Sequence, residues 1–587
     1  MKNNKPPNNR IEIALAAEQD RNVIYRLRHE VYACELGQHQ QNSANALQDA
    51  MDDHNIYIIA KSGKDVIGFI SVTPPSDKGY SIDKYFLRPS LPIIFDDKLY
   101  EVRLLTVVEP YRGYKIAGLL MYAALRWIED RGGEQIIAIG RREIISLYLK
   151  IGLKPLGYKV RSGAVDFELL TEKVNILSNR VKHYEKGLRD IQSEINWQLA
   201  VPFNKKKACF HGGAFFKAIG EEFDKLENSK VIINADVLDA WYPPSPKVVM
   251  ALQEYLPWLS RTSPPLNCDG MVKVISRTRE IDPECILTGA GSSDLIFLAF
   301  RQWLNPNSRV LLLDPSYGEY GYICEQVIGC KVDKIILSPE NDYSFEPSVL
   351  EAHFKNNYDL IVLINPNNPT GRLAPREAIE KVLNNMPLTT KAWIDEAYIE
   401  YAGEEGHSLE HFAVKSENII VCKSMSKCYA LSGMRAAYLC GPHRLIEELR
   451  RITPPWAVSL LAQVAAVMAL QDPEYYAKRY EETHRFRDQL AEQLKSIKGI
   501  HIVPSVGNFI LCRLSSDGLY ATDLIERCKK YNLFLRDVSS MSTRPDKHSF
   551  RVAVKDMDTN TRMVQIIRDV LGDHTEEKCH RELDLAK

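Results

Sequence analysis

The chain has 587 residues, with 75 lysines and arginines against 76 aspartates and glutamates, a formal charge of −1. At roughly 150 residues per domain this length calls for two to four domains, and 45 % hydrophobic with 26 % charged residues excludes a largely disordered chain. Near-neutrality excludes the strong positive field that holds nucleic acid or an anionic membrane surface.

The opening segment, Met1 to Arg10, has no apolar run of the secretory kind. The longest apolar stretch, Trp456 to Leu470, is interrupted by Ser459 and Gln463 and reads as a buried helix, not a membrane span. Twelve cysteines are scattered singly, without C-x-x-C pairs or Cys/His clusters. No metal site is therefore expected, and the expected location is a reducing cytoplasm with thiols serving as small core residues.

Residues 11 to about 170 alternate short apolar runs (Ile56 to Ala60, Val66 to Val72, Leu104 to Val108) with helical patterns such as Gly118 to Ile128, the mixture of an α+β domain. Val102 to Gly118 reads as a strand, a turn and a helix start able to hold an anion. Tyr148 stands four residues before a helix-ending glycine, Gly152. Val174, Leu177, Val181, Tyr184, Leu188, Ile191 and Ile195 then recur at alternating spacings of 3 and 4, which predicts one amphipathic helix. It packs either on its own domain or as a spacer or dimer seam. Lys205 to Lys207 reads as a solvated turn.

The third zone alternates β-rich runs (Val310 to Asp314, Leu360 to Ile364, Ala392 to Asp395, Ile419 to Cys422) with helices, as a mainly parallel sheet requires. The loops after these runs carry unusual residues. Gly289-Ala-Gly-Ser-Ser293 opens a helix. Asp314-Pro-Ser-Tyr317 and Asn365-Pro-Asn-Asn-Pro-Thr-Gly371 form rigid strand ends. Asp395 closes an apolar strand and needs a positive partner if buried; Tyr398 follows three residues on, then Ser424-Met-Ser-Lys427 and Arg435. Asp573 to Lys587 is a polar tail.

This ordered set resembles the fold-type I pyridoxal-phosphate enzymes over residues 230 to 572, specifically the class I/II aminotransferases of the histidinol-phosphate aminotransferase and threonine-phosphate decarboxylase kind. The resemblance implies a mainly parallel seven-stranded sheet with a small C-terminal subdomain. It implies that Lys427 carries pyridoxal 5'-phosphate as an aldimine and then moves the Cα proton. Asp395 would hold the pyridine nitrogen, Tyr398 and Asn368 the ring oxygen, and Tyr317 the ring face. Ala290, Gly291, Ser292, Ser424 and Arg435 would hold the phosphate. Arg551 would grip the substrate carboxylate, with Asn508 and the segment from Asn234 to Tyr242 on the substrate side. The family is homodimeric, yet Leu259-Ser-Arg-Thr262 stands where a tyrosine commonly reaches the neighbouring subunit. Amino acids and keto acids are the expected substrates, with transamination preferred and decarboxylation or carbon–carbon bond formation as alternatives.

Residues 11 to about 170 resemble the GNAT N-acyltransferases. Their pyrophosphate loop matches Arg112-Gly113-Tyr-Lys115-Ile-Ala117-Gly118, with Lys115 where the family has glycine, and Tyr148 matches the acid that protonates the leaving thiolate. The cosubstrate implied is an acyl-CoA, acetyl-CoA in the first place. Tyr25 to Tyr32, Glu35 to Gly37 and Glu101 to Arg103 also resemble acyl-homoserine-lactone synthases, which implies a longer acyl chain and an acyl carrier protein as donor. A non-catalytic thioester-binding module is the alternative. The domains expected are thus GNAT-like over 1–171, a helical connector over 172–205 and the aminotransferase-like domain over 206–587, with a large part over 265–450 and a small one over 480–572.

Overall fold

The computed structural model describes residues 10–112, 115–181, 184–192, 194–203, 212–220, 222–544 and 546–585. The chain divides into two compact units, Met1–Lys206 and Lys207–Lys587.

The first unit is built on an eight-stranded sheet in the order β6-β7-β5-β4-β3-β2-β1-β8. Its strands are β1 (Ile11–Leu15), β2 (Ile56–Ser62), β3 (Asp65–Thr73), β4 (Leu99–Val107), β5 (Gln135–Arg141), β6 (Lys154–Ser162), β7 (Val165–Lys173) and β8 (Ile195–Trp197). Helices α1 (Glu18–Arg28), α2 (Ile116–Asp130) and α3 (Ile145–Ile151) lie between them. Helix α2 is apolar almost all round and is correspondingly buried from Leu119 to Ile128, the pattern of a helix enclosed by its own domain. Strands β4 and β5 are parallel neighbours only from Leu99 to Val102 against Gln135 to Ala138. Leu104 then takes the left-handed conformation (φ 56°), and β4 continues on β3 while β5 continues on β7 as far as Arg141. A bulge of this kind re-aims a strand. Here it opens a wedge in the sheet.

Among the described residues the segment expected as one connector helix over 172–205 is not helical throughout. Instead α4 (Val174–Val181) and α5 (Glu185–Gln192) are followed by β8, which pairs parallel with β1. Val174, Leu177 and Ile195 are buried in the first unit's core, and Val181, Leu188 and Ile191 pack against it. The segment is therefore part of the first unit, not a free spacer. A seam of alternating 3 and 4 spacing marks an apolar face and does not say whether one helix or two carry it.

The second unit contains a seven-stranded sheet, β10-β16-β15-β14-β13-β11-β12. Its strands are β10 (Ile286–Gly289), β11 (Arg309–Asp314), β12 (Lys331–Ile336), β13 (Leu360–Ile364), β14 (Lys391–Asp395), β15 (Ile419–Ser424) and β16 (Ala437–Cys440), with β9 (Ile233–Asn234) earlier in the chain. Only β16 runs against its neighbours, so β10, β11, β13, β14 and β15 all end at one edge, where ligands of open α/β sheets bind. A second, antiparallel sheet is ordered β17-β18-β21-β20, from β17 (Ile500–Val503), β18 (Phe509–Leu514), β20 (Arg536–Asp537) and β21 (Ser549–Ala553). β19 (Leu533–Phe534) pairs instead with β9, which ties the segment starting at Asn234 to the small subdomain. The apolar stretch ending at Leu470 forms a helix, Leu460–Leu470, and the expected polar tail continues a helix, Met557–Leu585. Lys205 to Lys207 lies outside the described residues.

Candidate active sites

The edge at the ends of the parallel strands gathers most of the residues singled out in the second unit. β10 leads through Ala290 into the helix Ser292–Trp303, whose N-cap Gly291 has φ +90°. A Cβ at Gly291 would lie 2.3 Å from Arg435 Nη2, so the guanidinium stands directly over a helix N-terminus. Cation and helix start together make a seat for a phosphate. Arg435 is positioned by Ser432 O, which accepts from Nη1 at 3.0 Å, and by Ser426 Oγ at 3.4 Å. Ser424 Oγ accepts from the Ser426 amide at 3.3 Å. Ala290 is less available than expected, because its N–H donates to Asp294 Oδ2 at 2.9 Å.

Asp395 ends β14 and is buried. Its Oδ2 accepts from Tyr320 Oη at 2.6 Å and its Oδ1 from the Ala397 amide at 3.0 Å, while Trp393 Nε1 donates to Tyr320 Oη at 2.9 Å. Burial pushes the carboxyl up to about 6 in spite of these two bonds, and Glu319 adds to the rise. A cation placed against it would reverse that. Asn368 Nδ2 donates to the buried Tyr398 Oη at 3.4 Å, and Asn368 Oδ1 accepts from Arg551 Nη1 at 2.5 Å. Arg551 Nη2 donates to Asp236 O at 2.9 Å, and its Nε is buried without a partner. Burial brings the Arg551 guanidinium down to about 10. Tyr317 is half-buried, its ring 6.1 Å from that of Tyr320.

Lys427 Nζ donates to Asp239 Oδ1 at 3.0 Å. Lys555 Nζ reaches Asp239 O at 3.5 Å. Burial alone would raise Asp239, but Lys427, Ser432 and Lys555 outweigh it and hold the carboxyl below its ordinary value. Burial brings Lys555 down to about 8, opposed by Asp239 and helped by the charge of Lys427. Two residues expected on the substrate side are occupied by the chain itself. Asn508 Nδ2 donates to Leu238 O at 3.1 Å, and Asn234 Oδ1 accepts from the Val237 amide at 3.1 Å. Both shape the segment from Asn234 to Tyr242. Sequence reasoning quoted Asp239 only within that segment, and it missed Tyr320 and Lys555.

In the first unit, a cavity of about 640 Å³ is lined by Lys115, Ala117 and Gly118 at the start of α2 and by Tyr148 on α3. Lys115 caps α2 without a side-chain hydrogen bond of its own. Gly152 ends α3 in the left-handed conformation and closes it onto Tyr148 O. Gly140 lets the Tyr148 ring pass, since a Cβ there would stand 3.0 Å from it. Burial holds the Tyr148 phenol well above its ordinary value, with Tyr32 reinforcing and Arg141 opposing. Arg112 points elsewhere: its Nη2 donates to Glu35 Oε2 at 2.7 Å and its Nε to Val107 O at 3.0 Å. Gly113 lies outside the described residues. Glu101 is fully buried and accepts from the Ser81 amide and hydroxyl at 2.7 and 2.5 Å. Asp49, which no motif announced, accepts from Arg103 at 2.6 Å and from Arg28 at 3.3 Å.

Residues 271–567 match the family model for aminotransferase class I and II. This chain belongs to that family. Residues 22–153 of this class I/II aminotransferase match the acetyltransferase (GNAT) family, so the first unit carries a GNAT domain. The histidinol-phosphate aminotransferase of Methanococcus maripaludis is 26 % identical over 327 residues, 56 % of this chain and 86 % of that protein. That of Moorella thermoacetica is 30 % identical over 276 residues, 47 % of this chain and 70 % of that protein. The crystal structure of histidinol-phosphate aminotransferase from Clostridium acetobutylicum has the same fold, with a TM-score of 0.54 and 23 % identity over 58 % of this chain and all of that one. L-threonine-O-3-phosphate decarboxylase from Porphyromonas gingivalis shares it too, at 0.51 and 22 %, over 58 % of this chain and all of that one. Class I/II aminotransferases work with pyridoxal phosphate and GNAT domains with acyl-CoA. The residues present fit the first cofactor: Gly291 leaves room under Arg435, the buried Asp395 calls for a cation, and Arg551 Nε awaits an acceptor.

Proposed function

We propose that the second unit transaminates an amino acid with a keto acid as acceptor. The observation that carries this reading is the convergence of Lys427, Asp395 and the Gly291–Arg435 seat on one sheet edge, which Arg551 of β21 reaches through Asn368. Pyridoxal phosphate bound there supplies an electron sink for breaking a bond at the substrate α-carbon. Gly291, Ser292, Ser424 and Arg435 would hold its phosphate, Asp395 would keep its ring nitrogen protonated, and Tyr398 with Asn368 would meet its ring oxygen. Tyr317 would cover the ring face. Lys427 would anchor the cofactor covalently, and its amine would serve as the base for the α-proton. Arg551 holds the substrate carboxylate in a bidentate pair, and that orientation favours proton loss over loss of carbon dioxide. Mass spectrometry of products from the purified protein, fed pooled amino acids, keto acids and acyl-CoAs, tests this. Carbon dioxide release without a keto acid would mark a decarboxylase instead.

The phosphate seat makes a separate prediction. Gly291→Val adds a β-branched side chain at φ +90° and within reach of Arg435, so it incurs both backbone strain and displacement of the cation. A loss of cofactor affinity of about tenfold or more is expected in a titration followed by absorbance.

The same reading gives the first unit N-acyl transfer to a small amine from an acyl-CoA or an acylated carrier protein. Tyr148 is the proton donor to the leaving thiolate: its burial keeps the phenol protonated at neutral pH, as a general acid must be. Tyr148→Phe should bind acyl-CoA normally and turn it over about a hundredfold more slowly.

A homodimer through the second unit belongs to this proposal. The helix Pro246–Arg261 exposes Met250, Tyr255, Leu256 and Trp258 to 48–61 %, while Leu259 beside them is buried. Clustered exposed apolar side chains mark contact surfaces. Replacing both Tyr255 and Trp258 by Glu should halve the mass in sedimentation equilibrium. Among the described residues no helix is long and apolar enough to cross a membrane.

A further inference from the structure

The cavity behind Tyr148 is far larger than an acetyl group. Its volume of about 640 Å³ falls among pockets that enclose whole ligands, roughly 300–1,000 Å³. Three of its walls belong to the sheet wedge, to α2 and to α3, through residues such as Val102, Ala138, Leu125 and Leu147. The fourth is supplied by the segment expected as a connector: Leu177 and Val181 from α4, Leu188 and Ile191 from α5. Without that segment the space between α2 and α3 would be an open groove. The charged residues among the described lining are Arg103, Lys115 and Lys150, all cations.

An occupant that matches this lining has an anionic head and an aliphatic tail. We propose that the first unit takes thioesters of medium-chain fatty acids, with the pantetheine phosphates against Lys115 and the α2 amides and the acyl chain running beneath α4 and α5. This rests on the acyltransferase reading of the same unit. The thioester carbonyl then lies beside Tyr148, and the tail takes the space that acetyl leaves empty. At roughly the volume of a water molecule, about 30 Å³, per methylene, a chain of about ten carbons fills half of the cavity. The neutral amine attacks the carbonyl carbon, the carbon–sulfur bond breaks, the thiolate takes its proton from Tyr148, and the proton lost by the amine nitrogen restores the tyrosine phenol. The amide and the free thiol are the balanced products. Helices α4 and α5 thereby set the chain length.

Isothermal titration of the full-length protein with acetyl-, hexanoyl- and decanoyl-CoA tests this. Each buried methylene strengthens binding about fourfold, so hexanoyl-CoA should bind roughly a hundredfold or more tighter than acetyl-CoA. Leu188→Trp fills the cavity from α5 and should remove the decanoyl advantage while leaving acetyl-CoA binding unchanged; Val181→Trp serves the same purpose from α4 should the first variant not fold. A parallel arm with decanoyl-pantetheine and a decanoylated carrier protein distinguishes the free cosubstrate from the carrier as source. Equal affinity for acetyl- and decanoyl-CoA, or a decanoyl affinity untouched in a folded Leu188→Trp protein, overturns the proposal and leaves acyl transfer standing. If no thioester of either source binds, the acyltransferase reading falls, and the proposal with it.

Discussion

Lys427→Ala is expected to lower transamination by about 10⁴-fold or more while leaving thioester binding by the first unit unchanged. The size follows from what is removed. In the proposed assignment one amine provides both the covalent anchor of the cofactor and the base at the α-carbon, and general base catalysis alone is worth about 10²–10⁴. The structure sharpens the expectation, because Lys427 Nζ stands 3.0 Å from Asp239 Oδ1 and Lys555 Nζ lies 3.5 Å from Asp239 O. A second lysine thus sits close enough to invite rescue. The geometry argues against it: Lys555 enters from β21's continuation and contacts the Asp239 main chain, whereas Lys427 leaves the end of β15 beside Ser424 and the phosphate seat. Removing Lys427 should raise the Lys555 amine above about 8, since the charge of Lys427 is one cause of its depression. Borohydride reduction of the holoenzyme followed by peptide mapping checks the assignment. Cofactor fixed to Lys427 in the wild type and to no residue in Lys427→Ala is the expected pattern. Cofactor fixed to Lys555 in either protein would move the anchor and sink the assignment.

What could be read from the sequence was what chain neighbours carry together. Gly289 to Ser293, Asp314 to Tyr317, Asn365 to Gly371, Asp395 to Tyr398 and Ser424 to Lys427 each sit on one strand end, so strand and chemistry appear in a single window. The parallel topology, which sends β10, β11, β13, β14 and β15 to a common edge, then assembles them. Tyr320 was not legible because its role depends on Asp395, 75 residues away, and on Trp393. Asp239 and Lys555 are 316 residues apart, and neither is unusual in its own segment. The connector failed for a different reason. Its apolar seam correctly marked a face that packs on the first unit's core, but periodicity contains no information on where a helix stops or that Ile195 joins a strand beside β1. The size of the cavity under that segment was equally invisible, since it depends on how far β4 and β5 part after Leu104.

Asp395→Asn is expected to stabilise the cofactor-free protein at neutral pH and to cut transamination by about 10³-fold. The carboxyl is ordinarily near 3.8 and stands at about 6 here, chiefly through burial. Its folded-state value is raised, so the folded chain keeps a proton that the unfolded chain has released. Stability therefore falls as pH rises between about 4 and 6, and above 6 the whole cost, roughly 3 kcal/mol for two units, is present. Asparagine does not ionise and removes that slope. It also loses one of two acceptor positions, now used by Tyr320 and the Ala397 amide, which costs about 1 kcal/mol. A net gain of about 1–2 kcal/mol at pH 7.5 and a loss below pH 4 are expected from urea unfolding across this range. Function runs the other way, because a protonated ring nitrogen supplies the charge that makes a buried carboxylate favourable and asparagine offers no such partner. Cofactor addition should accordingly raise the melting temperature of the wild type more at pH 7.5 than at pH 5, and by the same amount at both in Asp395→Asn. A variant that keeps the wild-type slope between pH 4.5 and 6.5, or activity within tenfold of wild type, would show that Asp395 is held by its hydrogen bonds and not reserved for the ring.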